Sequence, residues 1–177
     1  GNYSGFTGTI NIGPSTGVSG GKIQFNGLDS SAVTLNVKPN ASVYLSSNVV
    51  KNSKIVLEGG DLGETLGQLR LDTGNWAGEV VLAGVATGVN DGLVGSNAGG
   101  TISGLISETG GSREFTKAGT GTINLAGVAN TFTGDVRVLG GTLGVTLMGT
   151  TGSPSSLGQG TTVHIGNGTG GTSFNYL

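Results

Sequence analysis

The chain has 177 residues, a formal net charge of −2, no cysteine and 38 glycines, with 34% of residues hydrophobic and 10% charged. Near-neutral charge and eight dispersed Lys and Arg argue against a nucleic-acid or anionic-membrane surface, and the missing cysteine excludes disulfide stapling. No apolar run approaches the ~18 residues of a transmembrane helix, and no basic stretch followed by an apolar one opens the chain as a signal peptide would.

The length suits one domain over residues 1–177. Disorder couples low hydrophobicity to high net charge, and here the charge is low and the apolar residues alternate. Gly1-Asn2-Tyr3 opens inside a repeat-like unit, as expected of a segment cut from a longer precursor. Phe6-Thr7-Gly8-Thr9-Ile10-Asn11-Ile12 then alternates as a strand does, and Gly20-Gly21 leads into Lys22-Ile23-Gln24-Phe25. Further strand-like runs are Ala32–Val37, Ser42–Ser46 and Lys54–Glu58, punctuated by Asn26-Gly27 and Gly59-Gly60. Gly67–Leu71 precedes Trp76-Ala77-Gly78-Glu79-Val80-Val81-Leu82, and Gly121–Leu125 precedes Asn130-Thr131-Phe132-Thr133-Gly134-Asp135-Val136-Arg137-Val138. Gly140–Val145 follows. Gly149–Gly160, rich in Gly, Ser and Thr with Pro154, reads as a loop leaving the regular stack before a last strand in Thr161–Ile165. Asn167-Gly168 is a further turn dipeptide.

One pattern recurs three times: aromatic, small, Gly, any residue, then an alternating apolar run. It starts at Phe6, Trp76 and Phe132, with Gly8, Gly78 and Gly134 at equivalent places. These aromatics, the glycines and Asn130 are predicted to turn and stack the chain. Short strands with frequent turns fit a sandwich or a solenoid. Outward positions are mostly Thr, Ser, Asn and Gly, which suits rungs whose side chains lie ~4.8 Å apart. A parallel β-helix is therefore expected, with irregular loops. Roughly 20–25 residues per coil would make about seven to nine coils and a rod of roughly 35–45 Å.

Phe115-Thr116-Lys117-Ala118-Gly119-Thr120-Gly121-Thr122-Ile123-Asn124-Leu125, Asn130-Thr131-Phe132-Thr133-Gly134 and Gly141-Thr142-Leu143 together resemble the autotransporter-associated β-strand repeat, also called the passenger-associated transport repeat. The best match spans residues 113–145. Val128-Ala129 stands where the family pattern has a single residue, and Trp76-Ala77 replaces its Tyr-Thr. The resemblance implies a right-handed parallel β-helix from the passenger of a secreted or surface protein of a Gram-negative-type bacterium. It implies no catalytic residue.

Candidate chemistry is sparse. His164 stands alone, without the partners that triad or zinc chemistry needs. Glu58, Asp61 and Glu64 surround a Gly-Gly turn and are the one cluster of acids to weigh as a calcium site, but the loop spacings of known calcium motifs are absent. Arg70 and Trp76 are the best local pair for a glycan contact, with Trp76 as a stacking platform and Asp72 nearby. No cofactor is expected. The leading expectation is a non-enzymatic structural or adhesive segment at the bacterial surface or outside the cell, stacking end to end or as a homo-oligomer into fibres, with surface glycans as partners. The rival is a polysaccharide-binding or polysaccharide-cleaving β-helix.

Overall fold

A computed structural model of the chain describes residues 5–14, 20–27, 29–60, 63–84 and 91–166, and the backbone of 172–175. Every element among them is a strand. In chain order they are β1 (Gly8–Ile12), β2 (Lys22–Phe25), β3 (Val33–Val37), β4 (Ser42–Leu45), β5 (Val50–Lys51) and β6 (Lys54–Leu57). Next come β7 (Leu69–Leu71), β8 (Asn75–Trp76), β9 (Val80–Leu82), β10 (Gly92–Gly95), β11 (Gly99–Ile102) and β12 (Ile106–Glu108). The last are β13 (Phe115–Ala118), β14 (Thr122–Leu125), β15 (Val136–Val138), β16 (Thr142–Val145), β17 (Thr162–Ile165) and β18 (Thr172–Asn175).

Successive strands fall in turn on three faces. The first face is the sheet β1-β3-β6-β9-β12 and the third is β5-β8-β11-β14-β16. The second begins as β2-β4-β7 and resumes as β10-β13-β15-β17-β18. The Gln68 amide donates to the Leu93 carbonyl at 3.0 Å where those two pieces meet. Strands from successive coils pair in parallel, and only β18 runs antiparallel, against β17. The result is a β-solenoid of about six turns.

Register gives the coil length directly. Gly8 faces Val33, Thr34 faces Lys54, and Val136 faces Val163, so a coil takes between 20 and 27 residues. Coils at the long end of that range, and a final strand that reverses, reduce the expected seven to nine turns to about six. At ~4.8 Å per rung the rod is roughly 29 Å long.

Period-2 alternation builds the core. Leu35, Ile55, Val80 and Ile106 stack in one inward column of the first face, and all are fully buried. Val43 pairs with Leu69 and Leu45 with Leu71 on the second face, while Trp76, Ile102 and Leu125 stack on the third. Each such aliphatic side chain contributes ~1.5–3 kcal/mol through burial. The strand β10 breaks the pattern, since all four residues of Gly-Leu-Val-Gly are buried. The reason is local: the chain around Leu66 lies over the outer side of β10, and Gly67 bridges Val94 in antiparallel fashion.

The three sequence echoes occupy two corners, not one. Gly8 pairs with Val33, and the first-face ladder continued through Ser53 puts Gly8 and Gly78 in one column. A Cβ on Gly78 would overlap the Ser53 carbonyl oxygen, so only glycine fits there. Gly134 lies at the next corner, beside the carbonyl of Arg113, and feeds β15 on the second face. The motif therefore marks a corner followed by a strand, whichever corner that is.

Candidate functional site

The corner between β14 and β15 has no strand on the first face, and side chains bridge the coils there. Asn130 Oδ1 accepts the Ile106 amide at 2.8 Å, and Asn130 Nδ2 donates to the Ser156 carbonyl at 2.8 Å. Its own amide donates to the Ser155 carbonyl at 2.8 Å, and the Thr131 amide donates to the Ile106 carbonyl at 3.0 Å. One buried asparagine thus ties the coil before it to the coil after it, replacing ladder bonds that the irregular backbone lacks. Phe132 is fully buried, with its ring centroid 5.9 Å from that of Phe115 in the preceding coil. A Cβ on Gly134 would overlap the Arg113 carbonyl, which excludes any larger residue.

The stretch expected to leave the stack at Gly149–Gly160 divides: residues 150–154 are mostly exposed, and Ser155–Gly160 packs back into the stack. Ser155, Ser156 and Leu157 are buried, and Ser156 Oγ accepts the amides of Thr146 at 3.3 Å and Leu147 at 2.9 Å. A Cβ on Gly160 would overlap the carbonyl of Gly134, so the two glycines stack. Small residues here serve close packing between coils, which composition alone does not separate from a solvated loop.

Two lysines point inward. Lys117 shares the inward side of β13 with Phe115, and its Nζ donates to the carbonyls of Gly119 at 2.8 Å, Gly121 at 2.6 Å and Gly140 at 2.9 Å. Burial pushes its ammonium below the usual lysine range. Lys51 Nζ donates to the Gly27 carbonyl and lies 5.3 Å from the Phe25 ring centroid. Burial lowers it too, with Asp29 opposing. Sequence reasoning passed over both, although the two-residue step from Phe115 already places Lys117 on the inner side.

The outer side of the second face carries the charge. Gln24, Tyr44 and Arg70 stand in one outward column. Arg70 Nε and Nη2 donate to Asp72 Oδ2 at 2.9 and 2.6 Å, Nη1 meets Glu64 Oε2 at 3.2 Å, and the guanidinium lies 4.5 Å from the Tyr44 ring centroid. Lys22 pairs with Glu64 at 2.6 Å. Burial alone would raise the Asp72 carboxyl, but Arg70, the Asn97 amide and Tyr44 together hold it below the usual range. The hydrogen bond from Lys22 does the same for Glu64. Further along, Arg137 Nε and Nη2 each meet a Glu114 oxygen at 3.0 Å, and His164 Nε2 lies 3.3 Å from Asp135 Oδ2. These are paired charges on a solvated wall. Glu64 and Asp72 share the Arg70 guanidinium, so both carboxylates are held in ion pairs.

The glycan pair is separated. Arg70 points outward from the second face, while Trp76 is fully buried on the inner side of the third, so its indole offers no stacking surface. Phe6, at the equivalent place in the first coil, is 45% exposed. Glu58 pairs with Lys38 at 2.7 Å and Glu64 with Lys22 and Arg70, while Asp61 lies outside the described residues. Among the described residues no group of three His, Asp or Glu side chains is placed to hold a metal ion.

Fold and corners together define a class: parallel β-solenoids whose coils are locked by a short repeat of Lys, Asn, aromatic and Gly. The family described as Passenger-associated-transport-repeat matches residues 115–145, which is the segment from the start of β13 to the end of β16. The chain is also 30% identical over 154 residues to "Adhesin BmaC autotransporter" of Brucella suis biovar 1 (strain 1330). That alignment covers 82% of this chain and 4% of the relative. No solved structure matches. Residues 115–145 thus carry a passenger-associated transport repeat, and most of the chain is similar to a short stretch of an autotransporter adhesin.

Proposed function

We propose that this chain is a non-enzymatic, stiff segment of a bacterial surface passenger, carrying or presenting adhesive sequence outside the cell. The observation that carries the reading is the parallel ladder itself. It runs through all three faces around one apolar core, and its corners are closed by Asn130, Lys117 and stacked glycines. The relative's name, an adhesin, supports the adhesive half. The charged groups of the outer wall are spent on one another, which supports the absence of catalysis.

Two measurements test it. The purified chain is expected to resist trypsin at Lys51, Arg113 and Lys117, because these residues are buried, and beads coated with it are expected to attach to host cells or to polysaccharide films above uncoated controls. Rapid cleavage at those sites would remove the stiff segment, and depolymerisation of a polysaccharide would remove the non-enzymatic reading. End-to-end association belongs to the same proposal. The strand β16 ends its sheet, and Val145, Met148 and Ile165 are exposed near it. Sedimentation that finds only monomers at high concentration would sink the fibre version.

A further inference from the structure

One column on the outer side of the third face is a ladder of polar side chains with one rung absent. Gly99 pairs with Thr122, and Thr122 with Thr142. Carrying the pairing of β8 with β11 back by two residues sets Thr73 beside Gly99, and carrying that of β5 with β8 back sets Asn48 beside Thr73. One outward column therefore reads Asn48, Thr73, Gly99, Thr122, Thr142. The neighbouring column reads Val50, Asn75, Thr101, Asn124, Gly144. Where Gly99 leaves the first column without a side chain, a groove of about 430 Å³ opens, with Asn48, Thr73, Thr101 and Asn124 as its walls.

The chemistry of this groove is specific in what it lacks and in what it offers. No charged residue lines it, although the second face is crowded with ion pairs. Its walls are two amides and two hydroxyls, each able both to donate and to accept. Beside it, Thr73 Oγ1 and Asn75 Oδ1 are buried with no hydrogen-bond partner in the protein, while Asn75 Nδ2 is taken by Ser103 Oγ at 2.8 Å. Both oxygens are closed off from solvent, so they lie under the groove and not in it, and the hydroxyls and amides that line it supply the contacts. From Asn48 to Asn124 the walls span four successive coils, or roughly 14 Å at ~4.8 Å per coil.

We propose that this groove binds a short run of a neutral, hydroxyl-rich polysaccharide lying along the rod axis. A chain of sugar rings presents donors and acceptors at intervals comparable to the coil spacing and carries no charge to desolvate. Without an aromatic platform a single site binds weakly, so useful attachment depends on many copies acting together. The site is distinct from the Arg70 and Trp76 pair, and the stiffness proposed above does not depend on it.

The test is a titration of isotope-labelled chain with dextran, mannan and β-glucan oligosaccharides, followed by amide chemical shifts. Polygalacturonate and an extended Gly/Ser peptide are the charged and peptide controls. At least one neutral saccharide is expected to shift Thr73, Gly74, Gly99, Gly100 and Thr101 together. Gly99→Thr restores the absent rung with the residue that Thr122 and Thr142 already place in that column. A Cβ at Gly99 meets nothing closer than the Thr122 carbonyl at 3.7 Å, so the variant is expected to fold. It should weaken binding at least tenfold with an unchanged melting curve, and Asn124→Ala should weaken it several-fold. Shifts that persist undiminished in both variants, no response to any neutral saccharide, or stronger binding of either control would each overturn the proposal. A failed titration leaves protease resistance, and with it the stalk reading, untouched.

Discussion

The corner at Trp76 and the corner at Asn130 turn the chain by different means. At Trp76 the backbone ladder continues: β8 pairs with β5 below and β11 above, and the indole fills the core. At Asn130 no strand forms over residues 131–135; isolated main-chain bonds remain, such as the Thr131 amide to the Ile106 carbonyl, and a side-chain amide, a pair of tilted rings and a pinned glycine supplement them. The difference teaches where a repeat becomes visible as a motif. Where main chain bonds to main chain, many sequences satisfy the corner. Where those bonds are sparse, particular side chains must supply the rest, and their identities become fixed in number and spacing.

The largest test of this contrast is on the Trp76 side. Trp76→Ala should cost roughly 3–5 kcal/mol, read from the urea midpoint, because it empties a core position that the ladder cannot refill. Asn130→Ala should cost roughly 2–4 kcal/mol, since it strands the Ile106 amide and the Ser156 carbonyl in a buried site. Asn75→Ala, in the corner where the ladder persists, should cost less than about 1 kcal/mol. Equal losses for the two asparagines would break the comparison. Lys117→Met keeps the length of the stem and removes the donor from three carbonyls, and should cost roughly 1–3 kcal/mol.

The smallest effect is electrostatic and sharpens the contrast between inside and outside. The carboxyls of Glu64, Asp72 and Glu79 are held below their ordinary values in the folded chain. On acidification the unfolded chain therefore takes up protons first. The stability these groups add is whole above about pH 5 and is lost as pH falls through their lower folded values. Urea midpoints between pH 7 and pH 2 should fall, and Arg70→Gln should make that fall shallower. A steeper fall in the variant would refute the assignment of the wall to paired charges.

The strands were legible because alternation is a backbone property: Val33–Val37, Lys54–Leu57 and Thr162–Ile165 sit where the apolar period places them. The repeat was legible for the reason given above. Coil count was not, because the number of residues spent at corners is set by side-chain packing, and the stacking of Gly160 on Gly134 shows only once both coils exist. The charged wall was hidden too. Lys22, Tyr44, Glu64 and Arg70 are scattered along the chain and meet only because three coils lie one over another. The glycan pairing of Arg70 with Trp76 failed for the converse reason: six residues apart in the sequence is one corner apart in the coil, so the two side chains face opposite ways.

The fixed short register has a kinetic meaning. No coil-to-coil pairing quoted above reaches back more than 27 residues, so forming each new coil closes a loop of nearly constant, modest length. The first pair of coils forms without a template, and each later coil meets a similar, modest loop closure offset by pairing with an existing edge, as in a zipper. Such a chain has no need of its far end in order to begin folding at the near one. It can acquire structure progressively, and at every moment the growing tip is the least stable part of the molecule.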